Sequence, residues 1–149
     1  MTKPHYLDDL SVGQKFGSGR LTLERDAILR FATQFDPQPF HLDDEAAQAT
    51  IFRGLAASGW HTAAVTMGLL VDGEFRPAGG IVGAGVDDLR WPRPARPGDT
   101  LRVESEVLEV RPSQSRPEQG IVRLQVTTLN QDDAVLQTFV ASLVVQRRP

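Results

Sequence analysis

The second half of the chain reads almost entirely as extended strand, and this limits the possible folds more than any other feature. Ile81 to Trp91, Leu101 to Val110, Ile121 to Leu129 and Val135 to Gln146 are β-rich runs. The last has the clearest period of two. Val135, Gln137, Phe139, Ala141, Leu143 and Val145 share one face, and more polar residues share the other. Asn130 to Asp133 is a hairpin signal. Pro92, Pro94, Pro97 and Gly98 mark a rigid turn, and Arg111 to Gly120 reads as a loop.

The first half has a different period. Leu10 to Leu21, with Gly13, Gly17 and Gly19, is expected to form a short entry strand with turns. Ala27, Ile28, Phe31, Ala32 and Phe35 then fall on one helical face, with Thr22 as the expected N-cap and Glu24 and Asp26 in the first turn. Pro37 disfavours the helical conformation at Asp36, so the helix must end there. Asp36 to His41, with prolines at 37 and 39, is expected to be a stiff, non-helical connector. Asp43 reads as the N-cap of a short helix containing Ala46, Ala47 and Ala49. A third segment, from about Ala56 to Asp72, is apolar almost all round, the pattern of a helix buried on several sides. Gly73 and Pro77 end it.

A short strand, then helices, then four long strands indicate an α+β chain. The expectation is a single domain over residues 1–149, a curved, mostly antiparallel sheet wrapped around a central buried helix. Pairing the edges of such a sheet between subunits removes an aggregation liability, which points to a homodimer or dimer of dimers.

Composition narrows the chemistry. The 149 residues contain no cysteine, which excludes disulfides, a thiolate nucleophile and Cys-rich zinc sites. Three histidines without a supporting carboxylate motif give no reason to expect a metal. A net charge of −3 without charge blocks argues against nucleic acid or an anionic membrane as partner. Thr62 to Val71, the most apolar stretch, is about half the length a bilayer requires. The start, MTKPHYLDDL, has no apolar core of a signal peptide. The expected location is the cytoplasm.

Asp36 and His41 stand on the proline-stiffened connector, and a carboxylate and an imidazole converging on one point can orient a water and move its protons. Spacing alone favours an exposed Asp-Pro turn with an incidental histidine. The flanking sequence changes that. The stretch FATQFDPQPFHLDDEAAQATIFRGLAASGWHT, Phe31 to Thr62, resembles the signature of the MaoC-like dehydratases, the (R)-specific enoyl-CoA hydratase group. Asp36, Gln38, Pro39 and His41 stand for its Asp-x-Asn-Pro-x-His loop, and Gly54 to Gly59 for its glycine-rich helix entry. Arg90-Trp91-Pro92 and Arg96-Pro97-Gly98-Asp99 extend the likeness loosely.

The resemblance implies a hot-dog fold and a hydro-lyase of fatty-acid metabolism that acts on an enoyl or 3-hydroxyacyl thioester. The carrier is coenzyme A or an acyl carrier protein, with no separate cofactor. Asp36 and His41 are then the catalytic pair, and a backbone N–H near Gly59 polarises the thioester carbonyl. Gly59 is equally a packing glycine on sequence alone. Three departures leave the acyl group open: Gln38 replaces the usual Asn, Ser58 stands where a histidine is usual, and Met67 occupies a helix position that is serine in some hydratases.

Further substrate-binding candidates are Gln38, Trp60, His61, Arg53, Arg90 and Arg93, with Arg96 a further possible phosphate contact. Each has a plainer reading: core histidine for His61, core for Trp60, Met67, Leu69 and Leu70, solvated rim for the arginines. Two alternatives to hydration remain at this stage, an acyl-CoA thioesterase of hot-dog type and a non-catalytic acyl-binding module.

Overall fold

The computed structural model describes residues 3–149. The elements in chain order are a 3-10 turn Leu7–Asp9, β1 Lys15–Phe16, β2 Arg20–Thr22, α1 Arg25–Phe35, α2 Pro39–Leu42, α3 Asp44–Gln48, α4 Gly59–Asp72, β3 Val82–Arg90, β4 Thr100–Pro112, β5 Gln119–Leu129 and β6 Val135–Gln146. The strands form one antiparallel sheet in the order β1-β4-β5-β6-β3, with β2 also paired to β4. The curved sheet closes on α4, the hot-dog arrangement expected from the sequence.

β4 and β5 alternate buried residues with half-buried or exposed ones along most of their length, because one face of the sheet packs on the helices. Leu101, Val103, Val107, Val122, Leu124 and Val126 supply the sheet side of the core, and Ile28, Leu69 and Leu70 the helix side. β3 differs: it is exposed along nearly its whole length and pairs only with β6.

The local expectations need five corrections. The helix after β2 starts at Arg25 with Glu24 as N-cap, while Thr22 lies in β2 and its hydroxyl meets that of Thr100 at 3.0 Å. The connector after Asp36 is not wholly extended: Pro39 opens a one-turn helix that carries His41, because proline's fixed φ suits the first helical position. The long helix begins at Gly59 rather than Ala56, capped by the Ser58 hydroxyl, which accepts from the Trp60 N–H. Finally, α4 is not enclosed on all sides. Trp60, Met67 and Val71 are exposed while His61, Thr62, Thr66, Leu69 and Leu70 are buried. β4 and β5 also run further into the Arg111–Gly120 segment than a loop would, to Pro112 and from Gln119.

Candidate active site

Asp36 terminates α1. Its own N–H reaches the Ala32 carbonyl, while its φ of −151° and ψ of 66° turn the chain out of the helix. The Gln38 N–H then bonds the Asp36 carbonyl at 2.8 Å and the His41 N–H bonds the Gln38 carbonyl at 2.9 Å, a tight bend that brings residue 41 back towards residue 36. His41 Nε2 stands 3.3 Å from Asp36 Oδ2, with both side chains largely removed from solvent.

The histidine tautomer follows from its other nitrogen. His41 Nδ1 lies 2.6 Å from the Ala56 carbonyl oxygen, which can only accept. Nδ1 therefore carries a proton, and in neutral imidazole Nε2 presents its lone pair towards Asp36. Ala56 is itself fixed, because its N–H bonds the Phe40 carbonyl. The imidazole packs edge-on to Phe40 at 4.6 Å between ring centroids.

Asp36 holds its negative charge. Burial pushes its carboxyl upward, but hydrogen bonds from Ser58 and Gln38 and the nearby His41 outweigh that and leave it below the ordinary aspartate value. The Ser58 hydroxyl donates to Oδ2 at 2.7 Å and Gln38 Nε2 donates to Oδ1 at 2.5 Å. Ser58, which stands where a histidine is usual, therefore takes part in the site directly. As an oxygen-bearing residue before an apolar helix it carried a legible N-cap signal.

Ser58 also places the start of α4 beside the carboxylate. The Gly59 N–H has no acceptor among the described residues, as expected in the first turn of a helix. A Cβ built on Gly59 would stand 2.6 Å from the Trp91 ring. Gly59 is thus a packing glycine by geometry, and its backbone donor is free as well.

These groups open into one cavity of about 590 Å³, lined by Asp36, His41, Ala57, Gly59, Thr62 and Trp91 within, and by Ile51, Phe52, Trp60 and the Pro92–Arg96 turn. The expected candidates divide. Asp36, His41, Gly59, Trp60 and Arg93 line it, while Gln38 touches Asp36 from the surface. His61 points elsewhere, stacked on Phe31 at 4.7 Å. Arg53 is exposed in a left-handed turn with φ 54°, and Arg90 sits at the end of β3, 3.9 Å from Asp88; neither lines the cavity. Leu69 and Leu70 are core, and Met67 lies on the uncovered face of α4.

Arg96 is a lining residue whose charge is already engaged. Its guanidinium donates to the carbonyls of Phe52, Gly54 and Leu55, and its N–H to Asp99 Oδ2. Sequence reasoning did not find Trp91, Thr62, Ile51 and Phe52 as lining residues, because they come together only through the packing of three separate segments. Among the described residues no helix is long and apolar enough to cross a membrane, and no cluster of three His, Asp or Glu is placed to hold a metal.

The chain belongs to the MaoC-like family: the MaoC like domain model matches residues 9–130. A crystal structure of the MaoC-like dehydratase from Rhodospirillum rubrum superposes with a TM-score of 0.94 at 56% identity, over 97% of this chain and 99% of that one. The uncharacterised protein YdeM of Bacillus subtilis is 33% identical over 95% of this chain and 99% of its own length. An (R)-specific enoyl-CoA hydratase of Rhodospirillum rubrum is 28% identical over 72% of this chain and 73% of its own. The fold and the family expected from the Phe31–Thr62 stretch are those found, and two of these relatives are named for dehydratase or hydratase chemistry.

Proposed function

We propose that this protein is a cytoplasmic hydro-lyase that adds water to an enoyl thioester, or removes it from a 3-hydroxyacyl thioester, with Asp36 and His41 as its acid–base pair. The observation that carries the reading is the opposition of an ionised carboxylate to an imidazole nitrogen whose tautomer is fixed from behind by Ala56. In the hydration direction a water in the cavity, within reach of both side chains, donates one hydrogen bond to Asp36 and gives its other proton to His41 Nε2 as its oxygen bonds Cβ. The double-bond electrons move towards the thioester oxygen, where the free Gly59 N–H and the positive end of α4 stabilise the enolate charge. The imidazole then returns the proton to Cα. H and OH have added across the double bond, and no other reactant is consumed.

The carrier is proposed to be coenzyme A, or an acyl carrier protein's thiol arm, entering across Ile51, Pro92 and Arg93, with Arg93 available to an anionic group of the carrier. Hydration is followed as loss of the ultraviolet absorbance of a 2-enoyl-CoA, and free thiol is measured in a parallel assay with a saturated acyl-CoA. Enoyl hydration without thiol release supports the hydro-lyase. Thiol release without hydration assigns the site to a thioesterase. Tight binding with neither makes the chain an acyl-binding module. Asp36→Asn and His41→Ala should each lower kcat/KM by about 100- to 10,000-fold while leaving the fold intact.

The working unit is proposed to be a homodimer. β3 ends the sheet with one edge unpaired, exposing Val82 and Val86, and α4 leaves Trp60, Met67 and Val71 uncovered. Antiparallel addition of a second β3 would pair that edge in both copies.

A further inference from the structure

Residues 51–58 belong to no helix or strand, yet Leu55, Ala56, Ala57 and Ser58 are buried. A buried irregular segment must find donors for its carbonyls outside itself. Arg96 supplies them. Its Nη1 donates to the Gly54 and Leu55 carbonyls at 2.9 and 3.2 Å, and its Nη2 to the Phe52 carbonyl at 2.5 Å. Among the described residues no other donor reaches these three oxygens. Arg53, within the segment, has a φ of 54°, a left-handed conformation that a residue with a side chain rarely adopts unaided. The shape of residues 52–55 is therefore set from outside, by the guanidinium.

Arg96 is itself firmly placed. Arg96-Pro97-Gly98-Asp99 is a closed turn, with the Asp99 N–H bonding the Arg96 carbonyl at 3.1 Å and Gly98 at a φ of 87°. Proline second and a positive-φ glycine third are what a type II turn requires. The Asp99 carboxylate accepts from the Arg96 N–H at 2.8 Å and from Gln131 Nε2 at 3.0 Å.

The next carbonyl along the segment is that of Ala56, and it faces the imidazole: His41 Nδ1 donates to it at 2.6 Å. On one side of Ala56, the Leu55 carbonyl is held by Arg96. On the other, the Ala57 N–H donates to the Ala95 carbonyl at 2.9 Å. The peptide that fixes the His41 tautomer is thus anchored at both ends by residues 95 and 96.

We propose that Arg96 is a positioning residue for His41. By ordering the carbonyls of residues 52–55 it holds the Ala56 carbonyl where that oxygen keeps the proton on Nδ1 and leaves Nε2 open to the reacting water. The catalytic consequence rests on the acid–base reading above.

The test reads the ring directly as well as the rate, so that the two claims fail separately. Nitrogen NMR of the labelled wild type at pH 8 should show His41 as the Nδ1–H tautomer alone, and an Nε2–H ring would overturn the proposal at once. Arg96→Lys keeps the charge but cannot span three carbonyls with one planar fork. It should bring a second tautomer into the His41 spectrum and lower kcat for enoyl-CoA hydration about 10- to 100-fold, with KM changed less than about threefold. Arg96→Ala should do the same more strongly, and the lysine variant covers the case in which the alanine variant does not fold. Val122→Ala, which loosens the core outside the cavity, should leave the tautomer as in the wild type. A ring that stays wholly Nδ1–H in the Arg96 variants, or that shifts equally in Val122→Ala, would overturn the assignment. A shifted tautomer with unchanged kcat would uphold the positioning by Arg96, and it is then the acid–base reading of His41 that fails.

Discussion

The Ser58 hydroxyl serves Asp36 and the start of α4 at once: it donates to Asp36 Oδ2 at 2.7 Å and accepts from the Trp60 N–H at 3.2 Å. One side chain thus fixes the distance between the carboxylate and the helix end that carries the free Gly59 donor. Ser58→Ala removes a bond that favours ionised Asp36. The sign follows directly. The native carboxyl is held below its ordinary value, so its contribution is present above that value and is lost as pH falls through the native one. Without Ser58 the acid limb of kcat/KM should move to higher pH, with kcat lowered by about tenfold. Ser58→Thr should restore most of both. An acid limb that does not move in the alanine variant would remove Ser58 from the positioning of Asp36.

Gly59→Ala tests the steric side of the same corner. The new methyl must displace the Trp91 ring or shift α4, since the indole atoms stand 2.6 to 2.8 Å from its position. Overpacking of this kind costs about 1–3 kcal/mol. The expected result is a lower Tm and a fall in kcat/KM, with the Trp fluorescence spectrum altered by movement of the indole. Unchanged fluorescence and activity would mean the corner is looser than its geometry indicates.

His61 is a buried titratable group outside the proposed chemistry. Its Nδ1 is buried without a hydrogen-bond partner among the described residues, and its ring stacks on Phe31. Burial first, and the charge of Arg30 second, push its pKa below the ordinary histidine value. The fold therefore favours the neutral ring. The stability it allows is complete above the unfolded-state pKa of about 6.5 and declines as pH falls from there towards the native value. His61→Phe keeps a stack with Phe31 and cannot take up a proton. Urea titrations at pH 7 and pH 5 should show a smaller loss of stability in this variant than in the wild type. An equal loss would place the acid sensitivity in other groups.

The β3 edge gives a prediction about assembly. Val86→Arg places a charge on an exposed apolar position of the terminal strand. Sedimentation should show a dimer for the wild type and a larger monomer fraction for the variant. A wild type that sediments as a monomer at micromolar concentration would sink the proposed homodimer.

The parts of this molecule readable from sequence are those decided by local chemistry. Pro37 marks the end of α1 because it acts on the residue before it, and the alternation in β4 and β5 reflects a single buried face. The errors arose where two local rules compete. Pro39 stiffens the connector, yet a proline is also a favoured first helical residue, and here it starts the turn that delivers His41. Thr22 has the chemistry of an N-cap and the branching of a strand residue; pairing with Thr100 decided for the strand. The contact of Trp91 with Gln137 joins residues 46 apart, and that of Thr66 with Thr128 residues 62 apart. No local pattern encodes either, so these buried polar contacts are not legible in the sequence, although the period of two puts Gln137 on the more apolar face of β6.

The clasp made by Arg96 bears on how the site responds to its ligand. With one guanidinium holding the carbonyls of Phe52, Gly54 and Leu55, the two walls of the cavity mouth are fastened to each other before anything enters. Little conformational freedom is then left in these walls to be lost when a ligand binds. It also means that selection occurs by fit to a standing shape and not by closure around the guest.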